Sequence, residues 1–392
     1  MQSATKNLSK YAIISFLLIF IVVMGVYFIY SNRVPTPSLA IGIDVGIQHK
    51  HAPVDDIPLT HDDIYVDDTV ARKLFDEVRV FCWILTTKSG IFSKAAGINA
   101  TWAPRCNKHV FFASASGEED IFTTLPSGAT PMPKVEINLN GLERKEYKTA
   151  NGATFTTISM GTDIMFIDTP EGYDNLTEKS REILQLLYLQ EMEHFDWFLK
   201  ADDDTYVIME NMRFLLKGLN PETPAYLGYQ LEPTWFDSPY MSGGAGYVFS
   251  RAGLKRLVEK GFQKKGACQE KGSSEDLEVG RCAMKAGVNI HSSLDRFERE
   301  SFHPDNINDY IPGPPPQWLY YYSRNKPKGG SECCSQLSVT WHRMETRDML
   351  VFDHLLYKTH VYGRNMAASY KNFYSYNKVK KLPNGVPTLK NE

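Results

Sequence analysis

Three adjacent carboxylates, Asp202, Asp203 and Asp204, follow the apolar run Trp197-Phe198-Leu199 and precede the β-type run Thr205-Tyr206-Val207. Held side by side at a strand end, they repel one another and need a compensating charge. A hard divalent cation supplies it through oxygen ligands that leave positions open for a diphosphate. A charged turn is the plain alternative. The spacing is not that of an EF-hand loop, because the glycine and the closing glutamate are absent. Glu275 and Asp276 open a short helical stretch ending at Cys282. On spacing alone they read as acids favoured by a helix dipole. The run Met241 to Tyr247 holds Gly243, Gly244 and Gly246. Glycines entering a strand let the backbone approach a ligand closely, or make a tight turn or bulge. No GK[ST] follows, so this is not a P-loop. His342 ends the β-type run Ser338-Val339-Thr340-Trp341-His342. A lone histidine is usually a packed residue, but its neutral imidazole can complete a manganese site with an aspartate.

The elements that must position these residues are legible around them. Val78 to Thr86 (VRVFCWILT) reads as a buried strand, followed by a helical stretch to Trp102 and a second strand from His109 to Ser114. Ile164 to Asp168 is a short apolar run ending in an acid, Leu176 to Phe195 an amphipathic helix, and Trp197 to Val207 a strand running into the acids. Strands alternating with helices predict an α/β fold with a mainly parallel central sheet. Ligands sit at the carboxyl ends of such strands, which is where Asp202 to Asp204 fall. Residues 117–160 carry little pattern and read as a surface insertion.

The 392 residues suffice for one large domain with an anchor and a linker, and a net charge of -3 gives no general pull toward nucleic acid. Tyr11 to Tyr30 carries no charge and, as a helix, matches a bilayer core of roughly 30 Å. Its length and the missing small-residue cleavage site favour an uncleaved anchor over a signal peptide. Lys6 and Lys10 before it place the tail 1–10 in the cytosol and the rest in the lumen. Residues 31–70 read as a stem, 71–365 as the lumenal domain, and 366–392 as a mobile basic tail. Six cysteines with no CxxC pair speak against zinc, and a lumenal compartment favours three bridges. Many connectivities are open. Proximity and flanking motifs lead us to expect Cys82 with Cys106, Cys268 with Cys282, and Cys333 with Cys334.

Several of these segments together resemble glycosyltransferase family 31. They are Val78 to Trp83, Thr101 to Lys108, Asn175 to Lys179, Asp196 to Val207 (DWFLKADDDTYV), Tyr240 to Tyr247 (YMSGGAGY), Ser273 to Cys282 (SSEDLEVGRC) and Cys333 to Ser335. The resemblance spans about residues 75–363, broken by the insertion. It implies a GT-A (Rossmann-like) fold in a single-pass type II Golgi membrane protein. It also implies UDP-galactose as donor, Mn2+ as cofactor, and inverting transfer to O3 of GalNAc linked to serine or threonine of a glycoprotein. By the same resemblance Asp204 and His342 are metal ligands. Asp202 and Asp203 hold the donor sugar and ribose, Lys179 steadies the carboxylates or the donor, and Asp276 is the general base. A homodimer is left open as the quaternary state. The segment Glu232 to Pro239 departs from the family's basic Lys-Pro-Tyr-Val-Lys, and Asp305 to Asp309 from its Val-Pro-Glu-His-His. The Trp-Tyr-Trp cluster is reduced to Trp318-Leu319-Tyr320-Tyr321. Two alternatives keep the fold: a β1,3-transferase with another sugar or acceptor, and a catalytically silent chaperone, against which the full set of acids and His342 argues.

Overall fold

The computed structural model describes residues 68–91, 93–115, 142–148, 154–160 and 163–359. The expected tail 1–10, anchor 11–30, stem up to residue 67, and basic tail 366–392 lie outside these. Among the described residues no helix is long and apolar enough to cross a membrane.

Among the described residues nine strands form one sheet: β1 (Val80–Leu85), β2 (Lys108–Ser114), β3 (Leu142–Lys148), β4 (Thr154–Met160), β5 (Ile164–Ile167), β6 (Trp197–Asp202), β8 (Ala225–Gly228), β11 (Tyr247–Ser250) and β12 (Asn289–Ile290). Two further pairs lie outside it: β7 (Tyr206–Val207) with β13 (Thr340–Trp341), and β9 (Gln230–Leu231) with β10 (Tyr240–Met241). The sheet order is β12-β8-β11-β6-β1-β2-β5-β4-β3. Its centre, β6-β1-β2-β5, is parallel throughout, as expected. The flanks are not: β11 runs antiparallel to both β6 and β8, and β3 and β4 continue the other edge as an antiparallel pair. The stretch read as a surface insertion therefore supplies two sheet strands. Leu142–Lys148 is largely charged, so no apolar alternation marks it, and an edge strand needs backbone partners on only one side.

The two-residue period of a strand divides the core. Val80, Cys82 and Ile84 of β1 and Trp197, Leu199 and Ala201 of β6 enter one apolar cluster, while Phe81, Trp83, Leu85 and Phe198 enter the other. The first is covered by helices α1 (Lys94–Asn99), α3 (Met209–Lys217) and α5 (Thr346–Tyr357) through Ile98, Met212 and Met349. The second is covered by α2 (Leu176–Gln190) and α4 (Glu275–Ala286) through Leu184, Leu187, Val279 and Ala283. Burying a side chain such as Ile84 or Leu199 stabilises this sandwich by roughly 1.5–3 kcal/mol. All three expected cysteine pairs are bonded: Cys82–Cys106, Cys268–Cys282 and Cys333–Cys334.

Candidate active site

The parallel register sets Leu85 beside Asp202, so β1 and β6 end at one edge of the sheet. The chain turns there, with Thr205 N–H donating to the Asp202 carbonyl at 3.1 Å. Strand β7 then pairs antiparallel with β13, Tyr206 opposite Trp341. Continued by one residue, that register brings His342 against the acid turn, and Met344 N–H closes the join on the Asp204 carbonyl at 2.9 Å. This accounts for the meeting of two segments more than a hundred residues apart.

At this join His342 Nε2 lies 3.1 Å from Asp204 Oδ1 and 4.0 Å from Asp202 Oδ2. Ligand atoms of Asp202, Asp204 and His342 lie within 4.8 Å of one another. His342 Nδ1 is 3.0 Å from the Pro304 carbonyl. Donation there leaves the Nε2 lone pair facing the acids, the arrangement by which outer contacts orient a ligating imidazole. One imidazole nitrogen with carboxylate oxygens suits a divalent manganese-type ion, so the residues fit the metal that the resemblance implies. Burial opposes charge on both partners. The His342–Asp204 contact outweighs it, raising the imidazole pKa and lowering that of the carboxyl. Gly244 makes room for the ring, since a Cβ there would lie 2.1 Å from His342 Cε1. Two residues on, Gly246 takes φ +77°, a left-handed conformation that glycine adopts without strain.

Asp203 turns the other way. Its carboxylate accepts from Lys94 Nζ at 2.9 Å and Thr86 Oγ1 at 2.8 Å. Asp202 accepts from Lys200 Nζ at 2.5 Å through the oxygen not facing His342.

The second half of the site is the first turn of α4. Asp276 Oδ2 accepts from Gly243 N–H at 2.9 Å, and its Oδ1 from Leu277 N–H at 2.8 Å. Burial raises its pKa above the usual carboxylate range, against those two N–H groups and Lys200. Neighbouring Glu275 is buried, accepts from Tyr247 Oη at 2.5 Å, and is pushed up to about 7 by burial. The glycine segment thus has Asp276 on one side and His342 on the other, and it joins the two halves.

Seven of the eight residues singled out from the sequence meet here: Asp202, Asp203, Asp204, His342, Gly243, Gly244 and Asp276. Lys179 has a different partner. It is buried on α2, and its Nζ lies 3.1 Å from Glu171, so its ion pair is with neither the aspartate turn nor Asp276. Lys200, Lys94, Thr86 and Glu275 complete the site; of these the sequence singled out only Glu275, as an acid beside Asp276 at a helix start. Lys200 carried a visible signal, a charge inside an otherwise apolar strand.

The Fringe-like family model matches residues 79–352, a span that contains both halves of the site. The chain is 30% identical over 324 residues to glycoprotein-N-acetylgalactosamine 3-beta-galactosyltransferase 1 of Xenopus laevis, covering 82% of this chain and 74% of that protein. Shorter stretches match chondroitin sulfate synthase 3 of Homo sapiens, 29% identical over 130 residues, and beta-1,3-glucosyltransferase of Mus musculus, 28% identical over 138 residues. These cover 29% and 34% of this chain but only 14% and 26% of those proteins. The chain belongs to the Fringe-like glycosyltransferases of family 31.

Proposed function

We propose that the chain transfers galactose from UDP-galactose to O3 of GalNAc on serine or threonine of a glycoprotein, with inversion and with Mn2+. We place it in the Golgi lumen, held by residues 11–30. The observation that carries the donor and acceptor is the extended similarity to the Xenopus laevis 3-beta-galactosyltransferase. For the chemistry it is the placement of Asp202, Asp204 and His342 on one side of a glycine segment and Asp276 on the other.

Asp204 and His342 would hold the metal, with Asp202 beside them as a further candidate ligand. When bound, the metal neutralises charge on the departing diphosphate. Asp203, fixed by Lys94 and Thr86, would accept hydrogen bonds from donor hydroxyls. Inversion needs a single base on the acceptor side. Asp276 takes the proton of the attacking hydroxyl as that oxygen forms its bond to the sugar. Two backbone N–H groups hold the carboxylate at a fixed orientation, and burial makes it a stronger base than a solvated aspartate.

The test is a panel of UDP-sugars offered to the full chain with a GalNAc-peptide, with Mn2+ or with chelator. We expect transfer from UDP-galactose alone, lost on chelation, and a β1,3 linkage by NMR. Transfer of another sugar, or activity that survives chelation, rejects the assignment.

A further inference from the structure

Lys200 stands where the two halves of the site meet. It is 2% exposed, and in register it lies between Trp83 of β1 and Tyr247 of β11, two fully buried aromatic residues. An ammonium enclosed in this way is costly, and an unbranched apolar side chain would fill the same space. Its contacts show what the charge holds. Nζ donates to Asp202 Oδ1 at 2.5 Å and to the Gly243 carbonyl at 3.0 Å. The same glycine's N–H donates to Asp276 Oδ2 at 2.9 Å. A continuous path of polar contacts therefore runs from the aspartate turn through Lys200 and Gly243 to Asp276.

We propose that Lys200 is a positioning residue that clamps Asp202 to the Gly243 segment and so fixes the reach between the donor-binding carboxylates and Asp276. This rests on the function proposed above. Lys200 touches neither the acceptor hydroxyl nor the diphosphate in that reading. Losing the clamp lets Asp276 drift relative to the donor, and a displacement of about 1 Å is enough for a roughly hundredfold loss of rate. It also removes one positive charge beside Asp202, so a divalent cation there gains attraction.

The experiment is Lys200→Met in the full chain, with folding checked by thermal melting. Mn2+ affinity is read by electron paramagnetic resonance without sugar or acceptor, and kcat and KM are measured separately. We expect a folded protein that binds Mn2+ several-fold more tightly, keeps the donor KM within about threefold, and loses about a hundredfold in kcat. A residue that only packs the core would lower the melting temperature and leave Mn2+ affinity and kcat in place. A kcat near wild type, or Mn2+ affinity unchanged or weakened, overturns the proposal. The Mn2+ arm is independent of which sugar is moved, so it still decides the clamp if a wild type inactive on the whole panel defeats the function assignment. If the Met variant does not fold, Lys200→Gln, which keeps a donor for the Gly243 carbonyl, is read in the same way with at least about a tenfold loss of kcat. Failure of both variants to fold assigns Lys200 to the core and also overturns the proposal.

Discussion

Asp202, Asp203 and Asp204 are consecutive, yet the shortest side-chain contacts of each carboxylate go to different groups: Lys200, then Lys94 with Thr86, then His342. That dispersal lets three like charges share one turn. Lys94 also lies 3.8 Å from Asp204 Oδ2, so one lysine serves both of the last two acids. We expect Asp204→Ala and His342→Ala each to weaken Mn2+ binding by more than about a hundredfold, and Gly244→Ala to weaken it by about ten- to a hundredfold. The glycine variant adds a single methyl, but it strikes the His342 ring. Titration calorimetry with Mn2+ and UDP checks all three, and near-normal affinity in the Gly244 variant would mean that the ring has room to move. At this scale the motif residues were readable because acids at a strand end and glycines before a strand carry their own chemical oddity. Lys94 and Thr86 were not, because nothing in an exposed lysine or a loop threonine announces which carboxylate it will meet.

The elements were legible where periodicity is strong. Val78 to Thr86 and His109 to Ser114 read as strands, and Val80–Leu85 and Lys108–Ser114 are strands. The expected helix Leu176 to Phe195 stops at Gln190, and a turn carries the chain on to β6. The β7–β13 pairing was not legible, since two-residue strands have too few positions to show a period, yet that pairing delivers His342. Helix α2 also bears on modification. Asn175, in the sequon Asn175-Leu176-Thr177, donates its Nδ2 to the Glu171 carbonyl at 3.2 Å, and Thr177 is buried. A glycan requires that same nitrogen and would have to fit against this contact and the Glu171–Lys179 pair beside it. Intact-glycopeptide mass spectrometry should therefore find Asn175 unmodified. Substantial occupancy would show that this end of α2 is arranged differently.

Across the whole molecule, two buried groups outside the site give stability opposing responses to pH. His303 has no solvent exposure, stacks on Trp341, and is pushed down to about 4 by burial. Its folded pKa lies below its ordinary 6.5, so its contribution is present above that value and is lost as pH falls toward about 4. The scale is on the order of 3 kcal/mol. Burial instead raises Glu300 from 4.5 to about 7, so its contribution is present below 4.5 and is lost as pH rises through about 7. Relative to wild type, His303→Phe should gain stability on acidification from pH 6.5 to 4, and Glu300→Gln should lose it from pH 7 to 4.5. Urea denaturation across that range reads both slopes, and parallel curves for either variant would contradict the assignment for that group. The proposed function divides the labour of the site, with the donor held at the β6 end and the acceptor deprotonated from α4. Its most direct test is Asp276→Asn, comparing UDP-galactose binding with transfer at saturating donor and acceptor. Asparagine keeps the size of the side chain and accepts one of the two backbone N–H bonds, but it cannot take a proton. We predict near-normal donor binding with transfer reduced by about a hundred- to ten-thousand-fold. Transfer within a few-fold of wild type would rule out Asp276 as the base, with the buried, hydrogen-bonded Glu275 the next residue to test.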